Sequence, residues 1–116
     1  MNRAELALLT RARDRVASGW VQGVYQAHRQ NGELLRFSEL PVNCWCAAGA
    51  VWAEYRQLPD KEGVTVVVVF EGLAKRLPDH RDHNHEGKLV DFNDYPDRTQ
   101  AEVMDLFDRA IEEESC

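Results

Sequence analysis

Apolar residues near the start of the chain recur at the spacing of a helix. They stand three or four positions apart, with charged residues between them, and are Leu6, Leu9, Ala12 and Val16. Such a stripe predicts an amphipathic helix. Asn2 and Glu5 have the spacing of a capping box at its start, and Gly19 follows the last periodic residue, where a left-handed C-cap is expected.

The clearest helix start in the sequence is at Thr99. This residue suits the N-cap position, and Glu102, three residues later, can complete a capping box. The apolar residues that follow share one helical face and are Val103, Leu106, Phe107, Ala110 and Ile111. The pattern predicts a last helix that starts at this cap.

The segment 44–53 is rich in alanine and contains no charged residue. Its small residues let neighbouring backbones approach closely, while Trp45, Trp52 and Tyr55 supply large apolar area on either side. This composition predicts a buried helix that ends near Pro59.

Between the first predicted helix and this buried helix, the pattern is less regular. Residues 20–40 contain scattered apolar positions, with the turn dipeptide Asn31-Gly32 ahead of Leu34 and Leu35. A β-hairpin and a pair of packed loops both fit this segment.

The segment 64–77 carries two opposed signals. Five of the six residues at 64–69 are valine, and local propensity therefore favours a strand. The apolar positions also fit a helix, at spacings of four, three and four: Val66, Phe70, Leu73 and Leu77. Asp60 could cap such a helix. The pattern alone leaves both structures open.

The chain becomes polar after Pro78. Residues 79–87 include no apolar side chain, which predicts an exposed loop. Leu89 and Phe92 mark a return to the core, and residues 93–98 are predicted to form a second loop.

Together these patterns predict a single domain over residues 1–116. The predicted fold is mainly α, a compact bundle of about four helices with an irregular or hairpin segment between the first and second. The alternative is an α+β fold with a strand at 64–70.

The net charge of the 116-residue chain is -6, from 20 acidic and 14 basic residues. This charge disfavours direct attraction to nucleic acid or anionic lipid, and no apolar run is long enough for a membrane span. The first residues form a charged amphipathic segment instead of an apolar signal sequence. We therefore expect a cytoplasmic protein that has a protein partner and no cofactor.

Cys44, Cys46 and Cys116 make a poor disulfide framework, because their number is odd and two of them are separated by one residue. A reducing compartment suits them better. Any cysteine chemistry must then come from the central pair.

Cys46 is the strongest candidate for catalysis. A thiol in the first turn of a helix lies at the positive end of the helix dipole, which favours the thiolate. His83 could act as its base and Asp91 could orient the imidazole, in the residue order of papain-like hydrolases. The alternative is that Cys46 is a small buried apolar residue beside Trp45.

Metal binding is a second candidate chemistry. Cys44 and Cys46 with His83 and His85 would offer a zinc-like set of two sulfurs and two nitrogens. A one-residue gap on a helix points the two thiols about 200° apart, which disfavours a shared metal. The loop that contains His80, His83 and His85 is a weak candidate for a divalent ion by itself.

Three segments resemble, in order, the signatures of an uncharacterised family of small domains found in bacteria and their phages. They are Gly19-Trp20-x-Gln22-Gly23, Trp45-Cys46-x-x-Gly49-Ala50 and Phe92-Asn93-Asp94-x-x-x-Arg98-Thr99-x-x-Glu102-Val103. Phe92 stands where the family usually has tryptophan, and Asp97 where it often has glycine. The resemblance implies a mostly helical fold, favours a helix over 64–77 and implies no known activity.

Carried over by position, the resemblance marks six candidate binding residues: Trp45, Cys46, Asn93, Asp94, Arg98 and Thr99. Structural roles are available for several of them, since Thr99 can cap a helix and Asn93 and Asp94 can form side-chain-to-backbone turns. The six are therefore either structural or the lining of one shared pocket.

The absence of a complete catalytic set in the sequence favours a small, acidic, non-enzymatic binding or regulatory protein. We expect an inhibitor-like protein of phage or mobile-element origin that acts on a host protein. A cysteine-dependent hydrolase using Cys46 is the first alternative, and a metal-binding module at the histidine loop 79–86 is the second.

Overall fold

Five helices and three short strands form from the residues that the computed structural model describes, which are 1–35, 39–78 and 84–115. The helices are α1 (Arg3–Ser18), α2 (Ala47–Gln57), α3 (Val66–Ala74), α4 (His85–Asp94) and α5 (Gln100–Glu114). The strands are β1 (Gln26–Gln30), β2 (Glu33–Leu35) and β3 (Cys44–Trp45). Within the described ranges, no helix has the length and apolar character that a membrane crossing requires.

The prediction of a bundle of about four helices is therefore wrong, since the fold is α+β with five helices and a small antiparallel sheet. The additional helix is α4, whose two ends, residues 85–87 and 93–94, were predicted to be loop. It begins because the side chain of Asn84 accepts the amide hydrogen of Gly87, and it packs because Leu89, Phe92 and Asn93 face the interior.

Helix α1 has the predicted capping box, in which the side chain of Asn2 accepts from the amide of Glu5 and the Glu5 carboxylate accepts from the amide of Asn2, both at 2.8 Å. The predicted left-handed cap at Gly19 is wrong, because its backbone is extended, with φ at -175°. Gly19 is instead a point of close approach, where a Cβ atom would lie 2.1 Å from the carbonyl oxygen of Asn43.

The small sheet has the order β2-β1-β3, with both pairs antiparallel. The turn between β1 and β2 has positive φ at both Asn31 (53°) and Gly32 (80°), which is the two-residue turn whose twist suits a hairpin. The hairpin is thus the alternative that this segment adopts. Strand β3 then places Cys44 opposite Ala27, so Cys44 and Trp45 lie in a strand, before the helix that was predicted to include them.

The valine-rich segment forms α3, so the alternative of a strand at 64–70 is wrong. Val69, Phe70 and Leu73 are buried in the helical register, which shows that packing outweighs the strand propensity of valine. The helix starts at Thr65 instead of Asp60, and the Glu5 carboxylate accepts the amide hydrogen of Thr65 at 2.8 Å. Glu5, 4% exposed, thereby connects α1 to the start of α3.

The main core lies between α1, α2 and α5, and α3 and α4 pack together on it. Its large, fully buried side chains include Leu8, Leu9, Val51, Leu73, Leu89 and Phe107. A second, smaller core lies under the sheet and is formed by Val21, Ala27 and Cys44.

Candidate functional site

Cys46 is the N-cap of α2, and its sulfur accepts the amide hydrogen of Gly49 at 3.3 Å. The residue is 2% exposed, and burial raises the pKa of its thiol to about 11. At neutral pH the sulfur is therefore a protonated thiol in the interior, which is the opposite of the activated thiolate that a hydrolase needs.

Of the two predicted catalytic partners of Cys46, the structure describes only Asp91. Asp91 is exposed on α4, whereas the buried face of that helix carries Leu89, Phe92 and Asn93. His83, the predicted base, lies outside the described residues.

Asn93 is fully buried and joins two distant segments of the chain to α4. Its Oδ1 atom accepts from the indole nitrogen of Trp20 at 2.7 Å and from the amide of Ala47 at 3.0 Å. Its Nδ2 atom donates to the carbonyl of Val21 at 3.1 Å and to Asp94 at 2.9 Å. We call these five residues the Asn93 network.

Gln22 and Gly23, which also belong to the segment 19–23, extend this network. The carboxylate of Asp94 accepts the amide hydrogen of Gly23 at 3.0 Å, and the side chain of Gln22 donates to the carbonyls of Asn93 and Tyr95, both at 3.0 Å. Side-chain hydrogen bonds thus connect the segment 19–23 to the end of α4. The polar groups of these side chains have their partners inside the protein.

Arg98 and Thr99 also have structural partners. The guanidinium of Arg98 donates to the carbonyl of Phe92 at 2.8 Å, lies 3.8 Å from the centre of the Phe92 ring and pairs with Glu102 at 3.1 Å. Thr99 caps α5 in the predicted capping box with Glu102. Both residues shape the turn between α4 and α5.

Trp45 lies between the sheet and α1. It is 9% exposed, and the guanidinium of Arg15 lies 4.9 Å from the centre of its ring. Arg15 and Arg11 both pair with the carboxylate of Glu54, which is itself buried. These contacts account for Trp45 as a packing residue.

The histidine candidates are only partly described. His85 is the first residue of α4, and its Nε2 atom lies 3.8 Å from Oε2 of Glu71. His80 and His83 lie outside the described residues. Among residues 1–35, 39–78 and 84–115, no group of three or more His, Cys, Asp or Glu side chains could hold a metal ion.

The candidate site that the structure reveals is a groove of about 370 Å³, which we call the Trp52 groove. Helices α2, α3 and the start of α4 form it, and its lining residues are Trp52, Val66, Val67, Phe70, Asn84, His85 and Glu86. The aromatic ring of Trp52 lies 5.6 Å from that of Phe70, and Val67 is 58% exposed. An apolar floor with an exposed aliphatic side chain is typical of a binding surface.

The polar side of the Trp52 groove is organised around Glu86. Its Oε2 atom accepts from the indole nitrogen of Trp52 at 2.9 Å and from the hydroxyl of Tyr25. Burial, followed by the hydrogen bond to Glu86, raises the pKa of Tyr25, so the hydroxyl stays a protonated donor. The carboxylate of Glu86 is therefore held in a fixed position at the groove.

The sequence did not indicate this groove. Glu86 was predicted to lie in an exposed loop, and Trp52 was predicted to supply core area only. One signal was available, since a partly buried indole requires an acceptor for its N–H group, and that acceptor is Glu86.

Residues 1–113 match the model of a family of unknown function (DUF6197), and the chain belongs to that family. No match was found among curated proteins or among solved structures. Membership confirms the resemblance at the level of the family and brings no activity with it.

Proposed function

We propose that this member of the family is a non-enzymatic binding protein that engages a partner protein through the Trp52 groove. The observation that carries the proposal is the combination, in one concavity, of exposed Val67, the aromatic wall of Trp52 and Phe70, and the fixed carboxylate of Glu86. The acidic character of the chain suits such a regulatory or inhibitor-like role.

The composition of the groove supports recognition by a protein surface. Interfaces typically place aromatic and aliphatic side chains at their centre and polar groups at their rim. Here Trp52, Phe70 and Val67 provide the apolar centre, and Asn84 and Glu86 provide polar groups at one side. A largely exposed valine gains free energy when a partner covers it.

The condition of Cys46 supports binding over catalysis. Its thiol is buried, caps α2 and has a raised pKa. The candidate residues Asn93 and Arg98 form their hydrogen bonds within the fold. The hydrolase is for these reasons the weaker alternative, whereas the metal-binding module stays a prediction because residues 79–83 of the histidine loop lie outside the described residues. That the partner is a host protein and that the chain derives from a phage or mobile element stay predictions.

Two valine variants test the proposal. Val67→Arg places a charged side chain in the Trp52 groove, whereas Val42→Arg makes the same change at another exposed valine, next to Trp45. Both variants and the parent chain are immobilised and exposed to lysate of the native source, and retained proteins are quantified by mass spectrometry.

We expect at least one protein that the parent chain and Val42→Arg retain and that Val67→Arg loses, with circular dichroism showing that all three are folded. Retention of the same proteins in equal amounts by all three chains would overturn the proposal.

A further inference from the structure

We infer, resting on the binding function proposed above, that the partner places a lysine or arginine against Glu86 and a bulky apolar side chain over Val67. The occupant of the Trp52 groove is then a basic, apolar segment of a partner protein.

No described residue supplies a cation to the carboxylate of Glu86. Both of its hydrogen bonds, from Tyr25 and Trp52, reach the same oxygen, Oε2, and come from uncharged donors. Among the residues that the structure describes, no lysine, arginine or histidine forms an ion pair with it, and Oε1 accepts no hydrogen bond. The negative charge at the groove is therefore held in place but not neutralised.

An occupant of the groove removes water from this charge. Burial of an ionised carboxylate is costly unless the covering surface supplies a cation or several hydrogen-bond donors. A purely apolar segment would leave Glu86 uncompensated, and an acidic segment would add repulsion. A basic side chain offsets the lost hydration of the Glu86 carboxylate. A basic segment is therefore favoured over a purely apolar or an acidic one.

A second carboxylate, that of Glu71, lies near His85 of the groove lining. Glu71 lies on α3 with its side chain 58% exposed, and its nearest described partner is His85, at 3.8 Å. His85 lines the Trp52 groove and neutralises Glu71 only when it is protonated. Within the described ranges, the carboxylates of Glu86 and Glu71 thus place negative charge at and beside the groove, in a chain whose net charge is -6.

Three peptides of the same apolar sequence test the inference. They carry lysine, glutamine or glutamate at the same two positions beside a central leucine, and each is titrated into the full ¹⁵N-labelled chain. The reporter is the indole N–H signal of Trp52, assigned with Trp52→Phe, because this group contacts Glu86 directly. We expect the lysine peptide to bind at least tenfold more tightly than the glutamine peptide and the glutamate peptide to bind least.

Two variants locate the charge effect. Glu86→Gln keeps an acceptor for the Trp52 indole but removes the charge, and should bring the lysine and glutamine peptides to within twofold of each other. Asp105→Asn removes the same charge from the exposed surface of α5 and should leave the tenfold preference in place.

The outcomes separate the two proposals. Equal affinity of the lysine and glutamine peptides for the parent chain, with the Trp52 signal shifting in both, overturns the charge inference and leaves the groove a binding site. No shift of the Trp52 signal with the lysine peptide also overturns the inference, while the valine variants decide the binding function independently. The charge series in the parent chain requires no variant to fold.

Discussion

The indole nitrogen of Trp20 donates a 2.7 Å hydrogen bond to Oδ1 of Asn93, which lies 73 residues further along the chain. The amide of Ala47 donates to the same oxygen, so one buried side chain connects the segment after α1, the start of α2 and the end of α4. The three segments that carry the resemblance to the family thus meet in one hydrogen-bonded network.

Replacement of Asn93 with alanine should destabilise the protein strongly. The variant leaves the buried amide of Ala47 and the carbonyl of Val21 without these partners, and each unsatisfied group costs about 1–3 kcal/mol. We expect a loss of about 3 kcal/mol in the free energy of unfolding, measured by urea denaturation. Asp91→Ala, on the exposed face of the same helix, should change stability by no more than about 0.5 kcal/mol. A loss below about 1 kcal/mol for Asn93→Ala would show that the network contributes little.

The ends of the fold were predictable because their signals are local. The capping boxes at Asn2 and Thr99 and the apolar stripes behind them specify α1 and α5 with little help from the rest of the chain. The same is true of the Asn31-Gly32 turn, whose two positive φ angles suit these residue types.

The middle of the fold depends on contacts that the sequence does not display. Helix α4 has few apolar residues, and one of its two fully buried side chains is Asn93, a residue typical of loops. Strand β3 is only two residues long and exists because β1 pairs with it. Local propensity gave the wrong strand alternative at 64–70, since burial of Val69 and Leu73 against the other helices decides in favour of α3.

The Trp52 groove was not predictable from the sequence. The sequence identified Cys46, Asn93, Asp94, Arg98 and Thr99 as notable residues, but it could not distinguish structural hydrogen bonds from a shared pocket. The Trp52 groove combines side chains from three helices, and one of these helices was itself not predicted. A surface of this kind follows from tertiary structure, not from a motif.

Alkylation of Cys46 should be slow in the folded protein and should depend on pH with a midpoint near 11. Burial raises the pKa of the thiol from 9.0 to about 11, so the thiolate fraction at pH 8 falls from roughly 10% to roughly 0.1%. Iodoacetamide labelling followed by peptide mass spectrometry measures the rate at this position. The unfolded control is the chain in guanidinium chloride at about 6 M, which is well beyond a typical unfolding midpoint. Rapid labelling of Cys46 at pH 8 in the folded protein would restore the hydrolase hypothesis.

Substitution of Gly49 with alanine should be far more damaging than the same change at Gly72. Both glycines lie in helices, where alanine ordinarily gains about 1 kcal/mol. At Gly49 the new Cβ would lie 1.9 Å from the carbonyl oxygen of Tyr25, whereas at Gly72 it would meet the end of the flexible Met1 side chain at 2.6 Å.

We expect Gly49→Ala to lose about 3 kcal/mol or more, and Gly72→Ala to lie between neutral and about 1 kcal/mol more stable. Thermal unfolding followed by circular dichroism compares the two. Equal effects of the two substitutions would mean that the contact between α2 and the segment before β1 is not tight.

Acid should destabilise the protein partly through Glu114. Its carboxylate contacts Lys75 and Arg76, which lower the pKa of the group from 4.5 to about 2. Because the folded-state pKa is lowered, this stabilisation is fully present above about pH 4.5 and is lost as the pH falls towards 2.

Glu114→Gln should therefore be less stable than the parent by about 1 kcal/mol at pH 6, after allowance for the exposure of Lys75, and equal to it near pH 2. Urea denaturation across this pH range checks the result, with Asp105→Asn as the control for a surface ion pair. A constant difference between Glu114→Gln and the parent at every pH would contradict the assignment.

The hydroxyl of Tyr25 and the indole of Trp52 share one oxygen of Glu86, so the segment before β1, helix α2 and helix α4 converge on a single atom at the groove. A ligand that draws this oxygen towards itself competes with the contact to Tyr25. The backbone of Tyr25 in turn accepts the amide hydrogen of Cys46, at the start of α2. Any ligand that competes for this oxygen therefore also weakens the attachment of the segment before the hairpin to α4, so that the two events are thermodynamically linked.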